Sequence, residues 1–258
     1  MANPPNRTFQ VNQTPIEVYD DKRDLGAAAA SRALQIISEA IETRGRARLI
    51  IGTGNSQDEV VDSLVGASDT AWGSIEVFHM DEYAGIADTH PASFRGWLKR
   101  RVADVVHPGA THYLNGDAPD LDAECQRYAD LLAAAPIDIC FIGFGENGHI
   151  AFNDPHVADF NDPVPLKRVE MDERCRMQQV GEGHFKSIET MPREALTLTC
   201  PTLLGSANLI CSVPDQRKAQ AARDAIEGPL STQCPASAVF AHPNAHVYLD
   251  TRSASLLS

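Results

Sequence analysis

The feature that most constrains the fold is a short, nearly continuous apolar segment from Ile137 to Ile142, followed by a glycine-rich loop from Gly143 to Gly148. A strand that lacks polar alternation is buried on both faces, which is typical of a parallel sheet. Two further segments that read as strands entering the core, Arg46 to Ile51 and Ile75 to Met80, precede it in the chain. Helical patterns lie between these segments, and strands that alternate with helices predict an α/β fold. We therefore expect a three-layer, Rossmann-like, mainly parallel sheet flanked by helices.

The remaining elements are predicted from residue periodicity and turn residues. No internal repeat or long linker interrupts the chain, so we expect one domain over residues 1–258. The pattern predicts helices at 21–43, 57–65, 120–135 and 215–227, another helix opened by His90-Pro91, and strands at 195–199, 209–213 and 246–249.

Charge and composition exclude several classes of protein. The chain has 22 Lys and Arg against 35 Asp and Glu, a formal net charge of −13, which opposes binding to nucleic acid or to an anionic membrane surface. The sequence has no 18-residue apolar run and no secretory pattern at its start, and its six scattered cysteines form no CxxC motif. These features predict reduced thiols, no membrane association and a cytoplasmic protein.

Four polar clusters follow predicted strands. Ligands of open α/β sheets bind beyond the carboxyl ends of the strands, so these clusters are candidates for one shared site. A plain turn remains the alternative for each cluster taken alone. The clusters are Gly52–Ser56, Asp81–Glu82, Gly143–His149 and Pro214–Lys218.

The types of residue in these clusters suit binding of an anion and acid–base chemistry. Backbone N–H groups around Thr53, Gly54, Asn55 and Ser56 can hold phosphate oxygens, although this loop is neither a Walker A motif nor GxGxxG.

A carboxylate such as Asp81 at a desolvated strand end can act as a general base. His149 has Asn147 and Asp154 nearby to fix its tautomer, and Lys218 can reach an anion. The histidines show no metal-ligand spacing.

Several segments together resemble one enzyme family. They are TGNS at 53–56, FHMDEY at 78–83 followed by His90-Pro91, IDICFIGFGENGHIAFNDP at 137–155, ALTLT at 195–199, and Lys218-Ala219. In order and spacing, over roughly residues 15–250, the chain resembles the glucosamine-6-phosphate deaminases, a family related to the 6-phosphogluconolactonases.

The resemblance implies a reaction without a metal or organic cofactor. The family opens an amino-sugar phosphate ring, moves a proton between C2 and C1, and releases ammonia to give a ketose phosphate. By resemblance Asp81 accepts the C2 proton, His149 opens the ring, and Asn147 and Asp154 orient that histidine. The implied partners are a small sugar phosphate and, as an open possibility, further copies of the chain. The predicted substrate-binding residues are Thr53, Gly54, Asn55, Ser56, Glu82, Gly145, Gly148, Gln179 and Lys218.

Three positions depart from the family pattern. Asn147 stands where aspartate is common, Asp154 where glutamate is usual, and Gln179 where the family has the arginine that grips the phosphate. Arg176, one helical turn earlier, is a candidate substitute for that arginine. The sequence thus predicts a divergent amino-sugar phosphate deaminase/isomerase. A sugar-lactone hydrolase and a non-catalytic sugar-phosphate-binding protein remain open alternatives.

Overall fold

A computed structural model describes residues 3–258 and contains eleven strands. Eight of them form one sheet, in the order β1-β2-β11-β10-β7-β3-β4-β6, and all neighbours except the β1–β2 hairpin are parallel. The predicted mainly parallel α/β fold is confirmed. The strands are β1 Arg7–Val11, β2 Thr14–Tyr19, β3 Ala47–Ile51, β4 Ile75–His79, β5 Asp81–Tyr83, β6 Ala110–His112, β7 Ile139–Ile142, β8 Leu166–Glu170, β9 Glu194–Leu198, β10 Asn208–Val213 and β11 Ala245–Asp250.

Helices flank this sheet, and capping side chains define where the long ones begin. Asp21 caps α1 by accepting hydrogen bonds from two backbone N–H groups, and Asp120 caps α5 in the same way. The helices are α1 Lys22–Arg44, α2 Asp58–Val65, α3 Phe94–Leu98, α4 Asp104–Val106, α5 Leu121–Ala133, α6 Glu173–Gly181, α7 Cys200–Leu204 and α8 Ala219–Glu227, with a π-helical turn joining α3 to α4.

Apolar side chains cover both faces of the parallel sheet, as the continuous apolar strands predict. On β7, Cys140 and Ile142 belong to one buried cluster, while Ile139 and Phe141 belong to the cluster on the opposite face. All four side chains are at most 1 % exposed. Alternate residues of this strand therefore pack against the two layers of helices on opposite faces of the sheet.

The second sheet was not predicted. Strands β5, β9 and β8 form a three-stranded antiparallel sheet, in which Asp81 pairs with Thr197 and Tyr83 with Ala195. Asp81-Glu82 was interpreted as a polar cluster after a strand, and 195–199 as part of the parallel fold; both belong instead to this small sheet. The chain leaves β4 at His79 and joins the second sheet two residues later, so Asp81 lies where the two sheets meet.

Two helix boundaries also differ from the prediction. His90-Pro91 does not open a helix: α3 begins at Phe94, because the Ser93 hydroxyl accepts a hydrogen bond from the Gly96 N–H. The helix predicted from residue 215 begins at Ala219, after a 3-10 turn over Gln216–Lys218. No helix among residues 3–258 combines the length and apolar character that crossing a bilayer requires.

Candidate active site

A cavity of about 290 Å³ lies at the carboxyl ends of four adjacent strands. These strands stand in the order β4, β3, β7, β10, and neighbouring strands are about 4.8 Å apart. The segments that follow them therefore form a row, with Asp81 after β4 at one end and Lys218 after β10 at the other. All four polar clusters of the sequence contribute residues to the lining of this cavity.

The predicted site residues divide between the lining and the layer behind it. Asp81 and His149 both face the cavity, as do seven of the nine predicted substrate-binding residues: Thr53, Gly54, Asn55, Ser56, Gly145, Gln179 and Lys218. Glu82, Asn147, Gly148 and Asp154 are not part of the lining.

Asp81 presents a buried carboxyl group to the cavity. The residue is 6 % exposed, and within residues 3–258 its side chain has no hydrogen-bond partner. Burial, reinforced by the neighbouring charge of Glu82, raises the pKa of Asp81 well above its ordinary value. The geometry thus supplies an unengaged group able to take and return a proton.

His79 holds the backbone of this segment, a role that no sequence pattern indicates. Its Nε2 accepts a hydrogen bond from the Leu114 N–H at 2.9 Å, so the proton sits on Nδ1, which donates to the Asp81 carbonyl oxygen at 2.9 Å. Burial lowers the pKa of His79 to about 4, which keeps the ring neutral.

Glu82 faces away from the cavity, which corrects its prediction as a substrate-binding residue. Its carboxylate accepts hydrogen bonds from the Ser93 hydroxyl at 2.7 Å and from the backbone N–H groups of Phe94 at 3.1 Å and Arg95 at 2.8 Å. It therefore satisfies the N–H groups that begin α3. Adjacent residues of an extended strand point to opposite faces, which separates Glu82 from Asp81.

His149 lies against Asp154 at the side of the cavity. Its Nδ1 is 2.9 Å from Asp154 Oδ1, although the carboxylate stands out of line with the ring N–H. Burial opposes ionisation of Asp154, but contacts with His149 and Asn147 lower the pKa of its carboxyl group. The shorter aspartate therefore places a carboxylate oxygen within contact distance of the imidazole nitrogen.

Asn147 acts on Asp154 rather than on the imidazole ring. Its Nδ2 donates to Asp154 Oδ1 at 2.9 Å and to Asp172 Oδ2 at 3.0 Å, while its Oδ1 accepts from the His149 backbone N–H at 3.1 Å. The prediction that Asn147 flanks the histidine is thus corrected in detail. An amide can donate to two carboxylates here, whereas an aspartate would add a third negative charge.

Two glycines shape the loop that carries His149. A side chain on Gly145 would collide with the imidazole ring, so this glycine lets the ring lie flat against the backbone. Gly148 has φ +81°, and a Cβ there would lie 2.6 Å from Cys234 Sγ. Gly148 is therefore required for the turn and does not contact the cavity.

The predicted anion loop precedes α2. Gly54 precedes a 3-10 turn over Asn55–Gln57, and Gln57 directly precedes α2, but neither residue caps its turn or helix with a side chain. Backbone N–H groups at this turn can therefore bind an anion. Thr53 is 2 % exposed, and its Oγ1 has no hydrogen-bond partner among the described residues. Asp58, in the first turn of α2, also lines the cavity and adds a negative charge.

Arg176 does not take the place of the missing arginine. Its guanidinium donates to the carbonyl oxygens of Ile188 and Met191, and the residue is not part of the lining. Gln179 does face the cavity, but its Oε1 accepts from the Tyr83 hydroxyl at 2.7 Å, which leaves only its amide nitrogen for a ligand. Arg176 as a phosphate-binding residue is therefore a wrong prediction.

Sequence reasoning missed the residues that set the charge at the Lys218 end. Arg217 lines the cavity and supplies a guanidinium from the turn before α8. Its place inside the polar cluster Pro214–Lys218 was the sequence feature that could have identified it. Lys22 at the start of α1 and Glu182 after α6 also line the cavity, and no motif marks either residue.

Within residues 3–258, two side-chain groups place candidate metal-ligating atoms within 4.8 Å of one another: His149, Asp154 and Cys175, and Asp154, His156 and Asp172. Both depend on Asp154, whose oxygens accept hydrogen bonds from Asn147 and from the Asp172 N–H. Burial raises the pKa of the Cys175 thiol, which disfavours the thiolate that binds metals. We assign no metal to either group.

Comparison with known proteins identifies the relatives of this chain. Residues 20–249 match the model of a family described as glucosamine-6-phosphate isomerases/6-phosphogluconolactonase. A curated glucosamine-6-phosphate deaminase from Listeria welshimeri is 32% identical over 230 residues, covering 89% of this chain and 96% of the relative. Another, from an Arthrobacter species, is 31% identical over 248 residues, covering 94% and 92%.

Solved structures show the same fold. A monomeric glucosamine-6-phosphate deaminase superposes with a TM-score of 0.85 at 29% identity, covering 93% of this chain and 99% of that one. A 6-phosphogluconolactonase from Shewanella baltica superposes with a TM-score of 0.76 at 18% identity, covering 94% and 99%, which shows the fold alone. The family model, which spans most of the chain, and curated relatives above 30% identity show that this chain belongs to the family of glucosamine-6-phosphate isomerases and 6-phosphogluconolactonases.

Proposed function

We propose that this protein is an amino-sugar phosphate deaminase/isomerase, which converts an amino-aldose 6-phosphate such as glucosamine 6-phosphate into a ketose 6-phosphate and ammonia. The observation that carries the proposal is the pairing, in one cavity, of an unengaged buried carboxyl at Asp81 with the imidazole of His149. The curated relatives named glucosamine-6-phosphate deaminases support it.

The proposed first step is ring opening at His149. The ring oxygen must gain a proton while the anomeric hydroxyl loses one, and an imidazole held by a carboxylate can exchange both. Asp154, at 2.9 Å from Nδ1, stabilises the protonated ring that forms during this exchange. Asn147 keeps Asp154 in place.

The proposed second step is proton transfer from C2 to C1 by Asp81. Removing the C2 proton of the open-chain amino aldehyde, while the C1 oxygen gains a proton, gives an enolamine. Returning the proton to C1, while the amino group loses one, leaves an imine at C2, which water hydrolyses to the ketose and ammonia. A buried carboxyl with a raised pKa suits a proton that is taken and then given back. Thr53 to Ser56, Gln179, Arg217 and Lys218 are the proposed contacts of the remote phosphate.

The test is ammonia release from glucosamine 6-phosphate, galactosamine 6-phosphate and unphosphorylated glucosamine, by the wild type and by Asp81→Asn. Ammonia release that the substitution abolishes supports the proposal, as does exchange of the substrate C2 hydrogen with deuterated solvent. Acid release from a sugar lactone, unaffected by Asp81→Asn, would establish a hydrolase instead. Binding of sugar phosphates without any product would leave a binding protein.

Three finer assignments accompany this proposal. We propose that residues 1–258 form one domain and that the protein works in the cytoplasm. We also propose a small sugar phosphate as its partner, with self-association left to a measurement of mass in solution.

A further inference from the structure

The Lys218 end of the cavity contains a carboxylate of its own. Glu182 follows the last turn of α6 and lines the cavity, and its side chain is 5% exposed. Burial opposes its ionisation, but His184 and the charge of Lys218 lower the pKa of Glu182 to about 2. A negative charge is therefore built into the place where a phosphate-binding site needs positive charge.

Glu182 engages the groups that an incoming phosphate would use. Its Oε1 accepts a hydrogen bond from Gln178 Nε2 at 2.9 Å and lies 3.5 Å from Lys218 Nζ and 3.9 Å from the Arg217 guanidinium. Its Oε2 faces His184 Nε2 at 3.6 Å. One carboxylate thus lies against both cations that follow β10.

The other charges around the cavity do not leave a spare cation. Arg217 also faces Glu146 at 3.7 Å and Asp215 at 3.6 Å, and Lys22 forms an ion pair with Glu59. Each of the three Lys and Arg residues in the described lining therefore has a carboxylate partner. A phosphate monoester brings a further charge of about −1.5 to −2. Like charges in a buried site disfavour one another unless a proton separates them.

We propose that Glu182 determines the specificity of the distal site by making the substrate phosphate bind together with one proton. The inference rests on the proposed function, since it takes the remote group of the substrate to be a phosphate. The proton comes from solvent and is shared between a phosphate oxygen and a carboxylate oxygen of Glu182, and no other bond forms or breaks. Lys218 and Arg217 then contact the phosphate and the Glu182 carboxylate, whose combined negative charge the shared proton lowers by one.

Charged and titratable groups from several elements lie around Glu182, either directly or through Arg217, and the test must separate them. His184 follows α6, Arg217 and Lys218 precede α8, Glu146 follows β7, and the buried Tyr83 comes from β5. The His184 imidazole contacts Glu182 at 3.6 Å, so its contribution must be separated. His184→Asn is therefore part of the experiment, and we expect it to keep the pH dependence of the wild type.

The experiment measures KM for glucosamine 6-phosphate from pH 6.5 to 8.5. The second phosphate pKa is about 6, so uptake of one proton predicts a wild-type KM that rises about tenfold per pH unit. For Glu182→Gln we expect a nearly constant KM, at least about tenfold below that of the wild type at pH 8. Glu173→Gln removes the same charge from an exposed position of α6 and is the matched control. Equal KM profiles for wild type and Glu182→Gln would overturn the proposal.

Calorimetry on Asp81→Asn, which retains Glu182 and is expected to bind the substrate with little turnover, keeps the inference testable if Glu182→Gln does not fold. Heats of binding in buffers of different ionisation enthalpy give the number of protons taken up. We expect glucosamine 6-phosphate to take up about one proton more than unphosphorylated glucosamine, and equal uptake would contradict the proposal. Turnover of glucosamine but not of its 6-phosphate would also overturn it while leaving the deaminase activity intact. Absence of ammonia from every substrate would count against the proposed function, whereas proton uptake on binding would still decide the role of Glu182.

Discussion

The two ends of the cavity are built differently. At the Asp81 end, neutral side chains make the supporting contacts: the His79 ring donates to the backbone carbonyl of Asp81, and the Asn147 amide donates to Asp154. At the Lys218 end, charged side chains hold one another, as in the contacts of Glu182 with Lys218 and Arg217. We propose that the first arrangement fixes where protons move and that the second sets which charge the site accepts.

This difference follows from where the residues come from in the chain. Asp81 and His149 lie in two short segments that directly follow β4 and β7, so their positions depend on local backbone. The Lys218 end combines residues from the start of α1, the end of α6 and the turn before α8. A substitution in one of these elements can therefore alter the charge of the Lys218 end without moving Asp81 or His149.

Replacing Asp81 should have the largest effect on activity. We expect Asp81→Asn to lower kcat by about 10²–10⁴-fold, the usual contribution of a general base, with little change in KM. The measurement is steady-state ammonia release, with circular dichroism and thermal unfolding to show an intact fold. A kcat within a few-fold of the wild type would remove Asp81 from the proton-transfer step.

Replacing Asp154 tests whether the support of His149 matters as much as the base. We expect Asp154→Asn to lower kcat by about 10²-fold, because the imidazole loses the charge that stabilises its protonated form. Asn147→Asp should also lower kcat, since it would place a carboxylate within about 3 Å of both Asp154 and Asp172. Equal or higher kcat in both variants would contradict the assigned relay.

At the other end, substitutions should act on KM rather than on kcat. We expect Lys218→Met to raise KM for glucosamine 6-phosphate by about tenfold, because a buried charged contact to the phosphate is lost. The matched control is Arg176→Met, whose guanidinium binds the carbonyls of Ile188 and Met191 outside the cavity. It should leave KM unchanged and lower Tm. A raised KM for Arg176→Met together with an unchanged KM for Lys218→Met would instead identify Arg176 as the phosphate-binding residue.

The pH profile of kcat/KM sharpens the comparison further. Burial raises the pKa of Asp81, and the base must be ionised to accept a proton, so activity should rise with pH through this raised value. The acidic limb should therefore lie well above the pH of about 4 at which an ordinary aspartate titrates. A profile that stays flat down to pH 4 would show that Asp81 is not the group that limits the rate.

The smallest change in activity is expected at Glu82, directly beside the proposed base. Glu82→Gln should cost about 1–3 kcal/mol of unfolding free energy, since the carboxylate accepts hydrogen bonds at the start of α3. Denaturant unfolding measures this cost. We expect kcat to fall far less than in Asp81→Asn. A loss of kcat as large as that of Asp81→Asn, in a folded variant, would give Glu82 a chemical role.

The parallel sheet was predictable because its central strands are apolar without interruption. The β1–β2 hairpin was missed, although Phe9, Val11, Ile16 and Val18 alternate with polar residues across a tight turn at Asn12, which has φ +52°. The small sheet was harder to foresee. Leu166–Glu170 carries three charged residues in five, and its pairing with residues 194–198 is a contact between distant parts of the chain.

The sequence by itself determined the fold class and which proposed catalytic residues follow which strands, because both depend on strand pattern or on the few residues that follow a strand. Tertiary structure alone decided the direction of each side chain and the charge of the distal end. It directs Glu82 into α3, Arg176 toward the carbonyls of Ile188 and Met191, and Glu182 toward Lys218, which lies 36 residues away in the chain. Local sequence patterns do not predict such contacts, because a buried ion pair forms only when folding brings its two elements together.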